Sequence, residues 1–282
     1  MRILIIGSTS SLCIALVPVL SSFAEVLTAG RKSGDIALDL TRISDSTYIP
    51  ENLDVVINTS AHFGGDAFDD YKEALSVNVI GILNLINACK KANTKRIIHV
   101  SSIYSLLSPD SLYYSIYSIS KKHADEIAWQ FCSAYSMPLT VIRPSQIYGN
   151  DDSFRKHQPF FYTMVDKAEN GENITIYGTN DAKRNYIHID DLTAVISRII
   201  QNQIYGIYQC AHTTNIALSE IANAAYKAFN RGGEVYFDEE KPNIEDNVFP
   251  EDVSLYEMID YYPQISIEDG LKQIARYKQG MR

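Results

Sequence analysis

Short apolar runs alternate with longer amphipathic runs over the first half of the chain. The apolar runs show little polar alternation, which is typical of parallel strands buried on both faces. Five strands are predicted in this way: Arg2 to Ile6, Glu25 to Ala29, Leu53 to Asn58, Arg96 to Val100 and Leu139 to Pro144. Helices are predicted between them at Leu12 to Leu20, Ala74 to Ala92 and Ile116 to Tyr135. This alternation predicts an α/β fold with a doubly wound parallel sheet of the Rossmann type.

The pattern changes after Gly149, where a polar stretch from Asp151 to Gln158 is predicted to be a loop. Further helices are predicted at Phe160 to Glu169, Asp190 to Ile200 and Ile267 to Tyr277, with a short strand at Ile174 to Gly178. We therefore predict two domains. The Rossmann-type domain spans residues 1–148 and roughly 184–212, and a smaller mixed C-terminal cap spans roughly 149–183 and 213–282.

Composition excludes several classes of protein. The chain has 282 residues, 46% hydrophobic and 21% charged, which is ordinary for a globular protein. A formal net charge of -9 argues against nucleic acid as a partner, because phosphate binding requires a basic surface. The four cysteines form no Cys-x-x-Cys pair, which predicts reduced thiols, a cytoplasmic location and no metal site. Gly7 interrupts the first apolar run, so neither a secretory signal nor a membrane span is expected.

Candidate chemistry lies at Ser102, Tyr117 and Lys121. Tyr117 and Lys121 are four residues apart and therefore share one face of the predicted helix. An ammonium group beside a phenol favours the phenolate, so we expect Lys121 to lower the pKa of Tyr117. The phenol could then act as an acid or a base, while the Ser102 hydroxyl holds a substrate oxygen. Half-buried tyrosines beside surface lysines are common, however, so the pattern requires a cofactor site nearby.

The predicted order of strands and helices supplies such a cofactor site. The first strand, turn, helix and second strand have the size of a dinucleotide-binding βαβ half-site, about 30 residues. Ligands of such sheets bind beyond the carboxyl ends of the strands. The residues predicted to meet there are Gly7, Arg31, Ser60, Ser102 and Pro144.

Six motifs in this order resemble those of the extended short-chain dehydrogenase/reductases, a family of nucleotide-sugar epimerases, dehydratases and reductases. They are the opening strand and turn, Asn78-Val79-Ile80-Gly81, Ser101-Ser102, Tyr117 with Lys121, Arg143-Pro144-Ser145-Gln146-Ile147-Tyr148-Gly149, and Arg184-Asn185-Tyr186-Ile187-His188-Ile189-Asp190-Asp191. The resemblance covers nearly the whole chain. It implies that the Rossmann-type domain binds NAD or NADP and that the cap binds the substrate.

The resemblance also implies a set of cofactor contacts. Besides Tyr117 and Lys121, the implied residues are Gly7, Thr9, Ser10, Ser11, Leu12, Arg31, Asp39, Leu40, Ser60, Ala61, Asn78 and Pro144. The family has three glycines in the first turn, whereas this chain has Gly7 alone, with Ser10 and Cys13 at the other two places. Ser10 or Ser11 could donate to a phosphate at the helix N-terminus, although cofactor binding could also be weakened or lost.

The end of the second strand bears on the choice of cofactor. NAD-preferring members of the family carry an acidic residue there, which binds the ribose hydroxyls. This chain has Ala29-Gly30-Arg31-Lys32 instead. Arg31 could pair with a 2′-phosphate, so we predict NADP, with NAD as the alternative. Asp39 and Leu40 resemble the pair that contacts adenine.

The resemblance implies substrate contacts from Ser102, Tyr104, Gln146 and Arg184. Arg184 resembles an arginine that binds the substrate diphosphate, and its guanidinium suits two phosphate oxygens. Dehydratase members follow the hydroxyl residue with two acidic residues, but here Ile103 and Tyr104 follow Ser102, so dehydration is not expected.

These observations predict an NAD(P)-dependent enzyme acting on a nucleotide-diphosphate sugar, most simply a 4-keto-sugar reductase. A 4-epimerase that retains NAD is the alternative, and a non-catalytic dinucleotide-binding sensor is an alternative of another class. Members of the family often pair through two helices that include the one carrying Tyr117, so the resemblance also implies a homodimer.

Overall fold

A computed structural model describes residues 1–42 and 48–280. The strands are β1 (Arg2–Ile6), β2 (Glu25–Gly30), β3 (Ile36–Ala37), β4 (Val55–Asn58), β5 (Ile97–Val100), β6 (Leu139–Pro144), β7 (Gln146–Tyr148), β8 (Ile174–Tyr177), β9 (Lys183–Arg184), β10 (Tyr186–His188), β11 (Gly206–Cys210), β12 (Ile216–Ala217) and β13 (Val235–Asp238). The α-helices are α1 (Ser11–Ser21), α2 (Phe68–Ala74), α3 (Gly81–Lys91), α4 (Ile116–Ala134), α5 (Pro159–Asn170), α6 (Ile189–Gln201), α7 (Leu218–Phe229), α8 (Ser254–Ile259) and α9 (Ile267–Lys278).

The chain folds into two compact units. The first consists of Met1–Pro144, Thr193–Cys210 and Ser254–Asp260. The second consists of Ser145–Leu192, Ala211–Val253 and the residues from Tyr261 onward.

A seven-stranded parallel sheet forms the centre of the first unit. Its strand order is β11-β6-β5-β4-β1-β2-β3, so the chain builds outward from β1 on one side and from β4 on the other. The order of the strands reverses between β1 and β4, which is the topological switch point of a doubly wound sheet. The predicted Rossmann-type fold is therefore confirmed, and β6 has the predicted bounds.

Burial on both faces of the sheet explains its continuous apolar strands. Residues Ile3 to Ile5 of β1, Val55 to Ile57 of β4 and Ile97 to Ile98 of β5 have no exposed surface. Leu85 and Ile86 of α3 pack into the same core cluster as strand residues of β1 and β4. Burial of each such side chain stabilises the fold by about 1.5–3 kcal/mol.

The helix predicted from Ala74 to Ala92 is not a uniform α-helix. α2 leads directly into a π-helical segment at Leu75–Ile80, and α3 begins at Gly81. A Cβ atom at Gly81 would lie 3.1 Å from Leu40 Cβ, so the helix passes close to the turn after β3 at this point. Short π-helical segments inside α-helices are frequent at functional sites.

Short strand pairs and helices make up the second unit. β7 pairs with β10 and β8 with β13 in parallel, whereas β9 pairs with β12 antiparallel, so the unit is mixed as predicted. The buried side chain of Asp191, at the start of α6, is hydrogen-bonded to the segment that precedes α9. Its carboxylate accepts hydrogen bonds from the Tyr261 hydroxyl at 2.7 Å and from the backbone N–H groups of Gln264 and Ile265, both at 2.9 Å.

The boundaries of the units differ in detail from the predicted domains. Residues 145–148, 184–192 and 211–212 fall in the second unit, since β7 pairs with β10 and not with the main sheet. Residues 254–260 fall in the first unit, since α8 packs on β11. The binding roles of the two units remain predictions. Among the described residues, no helix has the length and apolarity needed to cross a membrane.

Candidate active site

One face of α4 carries two of the three predicted catalytic residues, Tyr117 and Lys121. The Ser118 hydroxyl accepts a hydrogen bond from the backbone N–H of Ser115 at 2.8 Å, which fixes the first turn of the helix, where Tyr117 lies. Lys121 is 1% exposed, and its Nζ donates to the Val100 carbonyl at 3.0 Å, at the carboxyl end of β5. The same strand end delivers Ser102. The structure thus brings the three predicted residues together.

Ser102 is placed by its own backbone environment. Its Oγ accepts a hydrogen bond from the backbone N–H of Tyr104 at 3.2 Å, which caps the short 3-10 turn Ile103–Leu106. The Ser102 hydroxyl also acts on the Tyr117 phenol, whose pKa it lowers. A serine and a tyrosine hydroxyl placed in this way can hold the same substrate oxygen and exchange a proton with it.

The electrostatics of Tyr117 differ from the sequence prediction. Burial raises the pKa of Tyr117, and this outweighs the hydrogen bond from Ser102, which lowers it. The Lys121 ammonium lies 6.0 Å from the centre of the Tyr117 ring and is bonded to Val100, so it is not among the groups that lower the Tyr117 pKa. The predicted lowering by Lys121 is therefore wrong for this structure. In this state the phenol is an acid that holds its proton at neutral pH.

Burial acts on Lys121 in the opposite direction. It lowers the pKa of Lys121 to about 8, although the nearby carboxylate of Asp125 acts to raise it. Desolvation disfavours the charged form of an amine, which explains the direction. Lys121 therefore changes charge close to physiological pH.

An aromatic residue that the sequence pattern did not single out covers the tyrosine. The ring of Phe63 stacks on that of Tyr117, with the centroids 4.9 Å apart and the planes 14° from parallel. Tyr104 packs on the Tyr117 ring edge-on, with the centroids 6.4 Å apart. Phe63 lies in the loop after β4, where no periodic pattern exists to show which way a side chain points. The stack holds the phenol ring in one orientation.

We expect Phe63→Ala to lower turnover about 2- to 10-fold, because an aromatic pair of this kind is worth about 0.5–1.5 kcal/mol. Phe63→Tyr keeps the stacked ring and is expected to retain the wild-type rate. Phe68→Ala removes the same side chain from an 81% exposed position in α2 and serves as the control. Equal rates for Phe63→Ala and Phe68→Ala would show that the stack does not position the phenol.

The first turn keeps the one glycine that its geometry requires. Gly7 has a φ of +100°, and a Cβ there would lie 2.7 Å from Thr59 Oγ1. The hydroxyl of Ser10 does not act as predicted. Thr59 donates its proton to the Ile6 carbonyl, so Ser10 donates to Thr59 Oγ1 at 2.8 Å while accepting from the Cys13 backbone N–H. Ser10 therefore caps α1 and has no proton left for a phosphate.

The backbone of this turn nevertheless fits a phosphate. α1 begins at Ser11, directly after the turn, and its first N–H groups and dipole favour an anion. The neighbouring Thr9 side chain is exposed, whereas Leu12 is 6% exposed and packs inward. Gly7, Thr9 and Ser11 thus remain the candidate phosphate contacts.

Three predicted cofactor residues, Arg31, Asp39 and Leu40, follow the end of β2. Arg31 is exposed and lies 3.8 Å from Glu73, measured from Nη1 to Oε1. Burial acts to raise the pKa of Asp39, but hydrogen bonds from Thr41 and the charges of Arg31 and Arg42 lower it overall. Leu40 is 5% exposed and belongs to the hydrophobic core, so the adenine packing predicted for it is not supported.

Asn78 has a different role from the predicted one. Its Oδ1 accepts from the His62 backbone N–H at 2.8 Å, and its Nδ2 donates to the His62 carbonyl and to Ser120 Oγ. Ser120 Oγ donates in turn to the Tyr117 carbonyl at 2.9 Å. Since both amide protons of Asn78 are used, the residue ties the loop after β4 to α4 and does not offer the predicted cofactor contact.

Three other predicted contacts lie at strand ends of the first unit. The Ser60 hydroxyl donates to Asn58 Oδ1 at 2.5 Å, which turns it inward, and Ala61 follows at the start of the loop. Pro144 ends β6.

The two remaining predicted substrate residues belong to the second unit. Gln146 Nε2 donates to Gln158 Oε1 at 2.9 Å. Arg184 is 7% exposed, and its Nη1 donates to the carbonyls of Lys183 and Glu245, both at 2.8 Å. Arg184 therefore holds its own strand to the neighbouring segment. Among the described residues, no group of three or more His, Cys, Asp or Glu side chains could hold a metal ion.

Comparison with known proteins settles the family. The model of the NAD dependent epimerase/dehydratase family matches residues 3–211. The chain belongs to this family. The resemblance seen in the sequence is thereby confirmed, and this member of the epimerase/dehydratase family is an enzyme.

Relatives in the family carry out more than one reaction. The chain is 24% identical over 248 residues to a dTDP-4-dehydro-6-deoxy-D-allose reductase from a Streptomyces species, covering 82% of this chain and 76% of that protein. The UDP-glucose 4-epimerase of Thermus thermophilus, solved with NAD, superposes with a TM-score of 0.76 at 16% identity over 99% of both chains. The RMD protein of Pseudomonas aeruginosa, solved with NADPH, gives 0.77 at 19% identity over 97% of this chain and 96% of that one.

Proposed function

We propose that this family member is an NADP-dependent reductase of a 4-keto nucleotide-diphosphate sugar. The observation that carries the proposal is the cluster of Ser102, Tyr117 and Lys121 at the carboxyl end of β5, in a sheet with the order of a dinucleotide-binding fold. Gly7, the first N–H groups of α1 and Arg31 would hold the dinucleotide. When bound, its nicotinamide supplies the hydride.

The protein residues supply the proton and the orientation. In a reduction, the keto oxygen gains negative charge as hydride arrives at carbon, and it must then gain a proton. Tyr117 holds its proton at neutral pH in this structure, so it is in the form that donates to the keto oxygen. Ser102 has a single hydroxyl proton, and it would turn this proton toward the keto oxygen when the substrate is bound, as a second donor to that oxygen. Lys121, on the same face of α4 as Tyr117, would hold the nicotinamide ribose through its ammonium group, as the resemblance to the family implies.

The preference for NADP rests on Arg31. The side chain is exposed at the end of β2, where a guanidinium can pair with a 2′-phosphate. A reductase requires a cofactor that enters reduced and leaves oxidised, which suits NADP. A 4-epimerase regenerates its NAD in every cycle, and the glycine-poor first turn suits such tight retention less well.

Arg31→Ala is expected to weaken NADPH binding about tenfold or more, since a charge-assisted hydrogen bond is worth about 1.5–3 kcal/mol. NADH binding should stay within about twofold, because NADH has no 2′-phosphate. Fluorescence titration of both reduced cofactors measures the two effects, and Lys32→Ala at the next position is the control. Equal weakening of NADH and NADPH would contradict a role for Arg31 in selecting NADP.

The choice between reductase and epimerase is tested by two assays. NADPH and NADH are offered with dTDP-4-keto-6-deoxyglucose and with its UDP counterpart, and cofactor oxidation is followed. A reductase is expected to oxidise NADPH in step with loss of the keto sugar. NAD that survives purification, together with interconversion of UDP-sugars without net oxidation, would instead favour the epimerase.

The cytoplasmic location of the enzyme remains a prediction.

The homodimer is part of this proposal. Side chains of α3 and α4 line an apolar groove on the first unit: Leu83, Glu126, Ile127, Gln130, Phe131 and Ala134. A second copy would cover the groove with the same surface, as a two-fold axis requires.

A further inference from the structure

Asp125 continues the row that Tyr117 and Lys121 begin on α4. It follows Lys121 by four residues, so the two side chains are neighbours on one helical face. Both are 1% exposed. Asp125 Oδ2 accepts a hydrogen bond from Arg143 Nε at 2.8 Å, which ties α4 to β6. A carboxylate at so buried a position is costly unless it is paired, so its charge requires an explanation.

A buried histidine faces the other oxygen of Asp125. His99 Nε2 lies 3.9 Å from Asp125 Oδ1. Because Asn58 Oδ1 accepts from Ser60, the Asn58 Nδ2 group donates to His99 Nδ1 at 3.2 Å, which leaves the imidazole proton on Nε2. Burial and the charge of Lys121 hold the pKa of His99 well below its ordinary value. His99 is therefore neutral and does not balance the carboxylate.

The charges around Lys121 can now be assigned. The ionisable groups that face this region are His99 on β5, Arg143 on β6, Tyr104 on the turn after β5, and Tyr117 and Asp125 on α4. Of these, Asp125 is the group that supplies negative charge, because His99 is neutral and burial raises the pKa of Tyr117. Burial also raises the pKa of Asp125, while Ser101 and the charges of Arg143 and Lys121 act to lower it and so favour the carboxylate. The side chain of Arg143 is 20% exposed and can be hydrated, whereas Lys121 cannot.

We propose that Asp125 is a positioning residue for the reaction: its buried carboxylate keeps the Lys121 ammonium charged at the carboxyl end of β5, and Arg143 holds that carboxylate in place. The consequence for catalysis rests on the proposed function, whereas the charge relation between the two residues does not. Without Asp125, Lys121 would lie in a low-dielectric site with no anion near it and would lose its proton at a lower pH.

A stability cycle on the full chain tests the charge relation without any ligand. The free energy of unfolding is measured from pH 6 to pH 10 for wild type, Lys121→Met, Asp125→Asn and the double variant. The difference between each Lys121 protein and its Met counterpart isolates the titration of Lys121. In wild type this difference is expected to rise above pH 8. With Asp125→Asn, the rise should begin about one pH unit or more lower, since an opposite charge at this range shifts a pKa by that much.

Two variants separate charge from packing. Asp125→Glu keeps the carboxylate and should restore the wild-type onset. Arg143→Gln breaks the same ion pair from the other side but leaves the charge of Asp125, so its onset should not fall. If Asp125→Asn does not fold, an onset that falls for Arg143→Gln or for Asp125→Glu still overturns the proposal. An onset that falls for Arg143→Gln as well, or an Asp125→Asn onset equal to wild type, would overturn the proposal.

Cofactor titration then tests the consequence for binding. NADPH and NADH affinities are measured against pH for wild type and Asp125→Asn. We expect the affinity to fall as the pH rises, and this fall should begin at a lower pH in Asp125→Asn than in wild type. The difference in pH should equal the shift seen in the stability cycle. If neither cofactor binds wild type while the stability cycle behaves as expected, the proposed function fails and the charge relation stands.

Discussion

Tyr117→Phe is expected to lower turnover of a 4-keto nucleotide sugar by about 10²- to 10⁴-fold, the usual contribution of a positioned general acid. The substitution removes the hydroxyl alone. The ring that stacks on Phe63 remains, so the loop after β4 should keep its place. NADPH affinity should change by less than about twofold, because Lys121 and the first turn are untouched. Single-turnover oxidation of NADPH measures the chemical step directly.

The matched control for this variant is Tyr135→Phe. Tyr135 ends the same helix, and its ring lies 3.3 Å from Lys90 Nζ, far along the chain from the reacting group. Wild-type turnover is expected there. If wild type and Tyr117→Phe both bind NADPH equally and neither turns over any nucleotide sugar, the non-catalytic sensor is the better description. If both turn over at the same rate, Tyr117 is not the acid.

Lys121→Met is expected to lower turnover at pH 7 by about 10²-fold or more, since it removes the ammonium group proposed to hold the nicotinamide ribose in position for hydride transfer. The same variant should change how stability depends on pH. The pKa of Lys121 is about 8 in the folded protein, below its ordinary value of 10.5. Between these values the unfolded chain binds a proton that the folded protein has released, so the wild-type free energy of unfolding rises with pH.

This pH dependence has a defined size and window. Below pH 8 both states hold the proton, and the cost of burying the Lys121 charge is fully present. Above pH 10.5 the cost is absent. The free energy of unfolding of wild type minus that of Lys121→Met should therefore grow by about 3 kcal/mol at most across this window. Urea unfolding at several pH values measures it, with the exposed neighbour Lys122→Met as the control. A flat difference between wild type and Lys121→Met would mean that Lys121 is not buried as a charge.

Five of the seven strands of the main sheet were predictable, because burial on both faces gives continuous apolar runs. The strand β11 was missed, because four of its five residues are only half-buried. The strand Leu139–Pro144 was predicted with its observed bounds, and β1 likewise. Weaker signals were missed. α7 repeats apolar residues at Leu218, Ile221, Ala225 and Phe229, a helical spacing that could have identified it. The two-residue strands β3, β9 and β12 carry no pattern, because tertiary pairing alone defines them.

In the candidate active site, the sequence predicts which residues meet but not which hydrogen bonds their neighbours form. Placing Ser102, Tyr117 and Lys121 together required only the helical repeat and the strand end. Which hydrogen bonds the side chains form depends on distant partners. The proton of Ser10 goes to Thr59, 49 residues away, and the amide of Asn78 goes to the backbone of His62. Phe63 covers Tyr117 from a loop whose path no local pattern specifies.

The central claim is that Tyr117, Lys121 and Ser102 form the proton-donating half of a nicotinamide redox site. It is tested most directly by NADPH carrying deuterium at the transferable position of its ring, with dTDP-4-keto-6-deoxyglucose as substrate and mass spectrometry of the sugar product. We predict one deuterium on the sugar carbon that bore the ketone. The rate at which this labelled sugar forms should be about 10²-fold lower with Tyr117→Phe than with wild type. A reduced sugar without deuterium, or equal formation by both proteins, would contradict the claim.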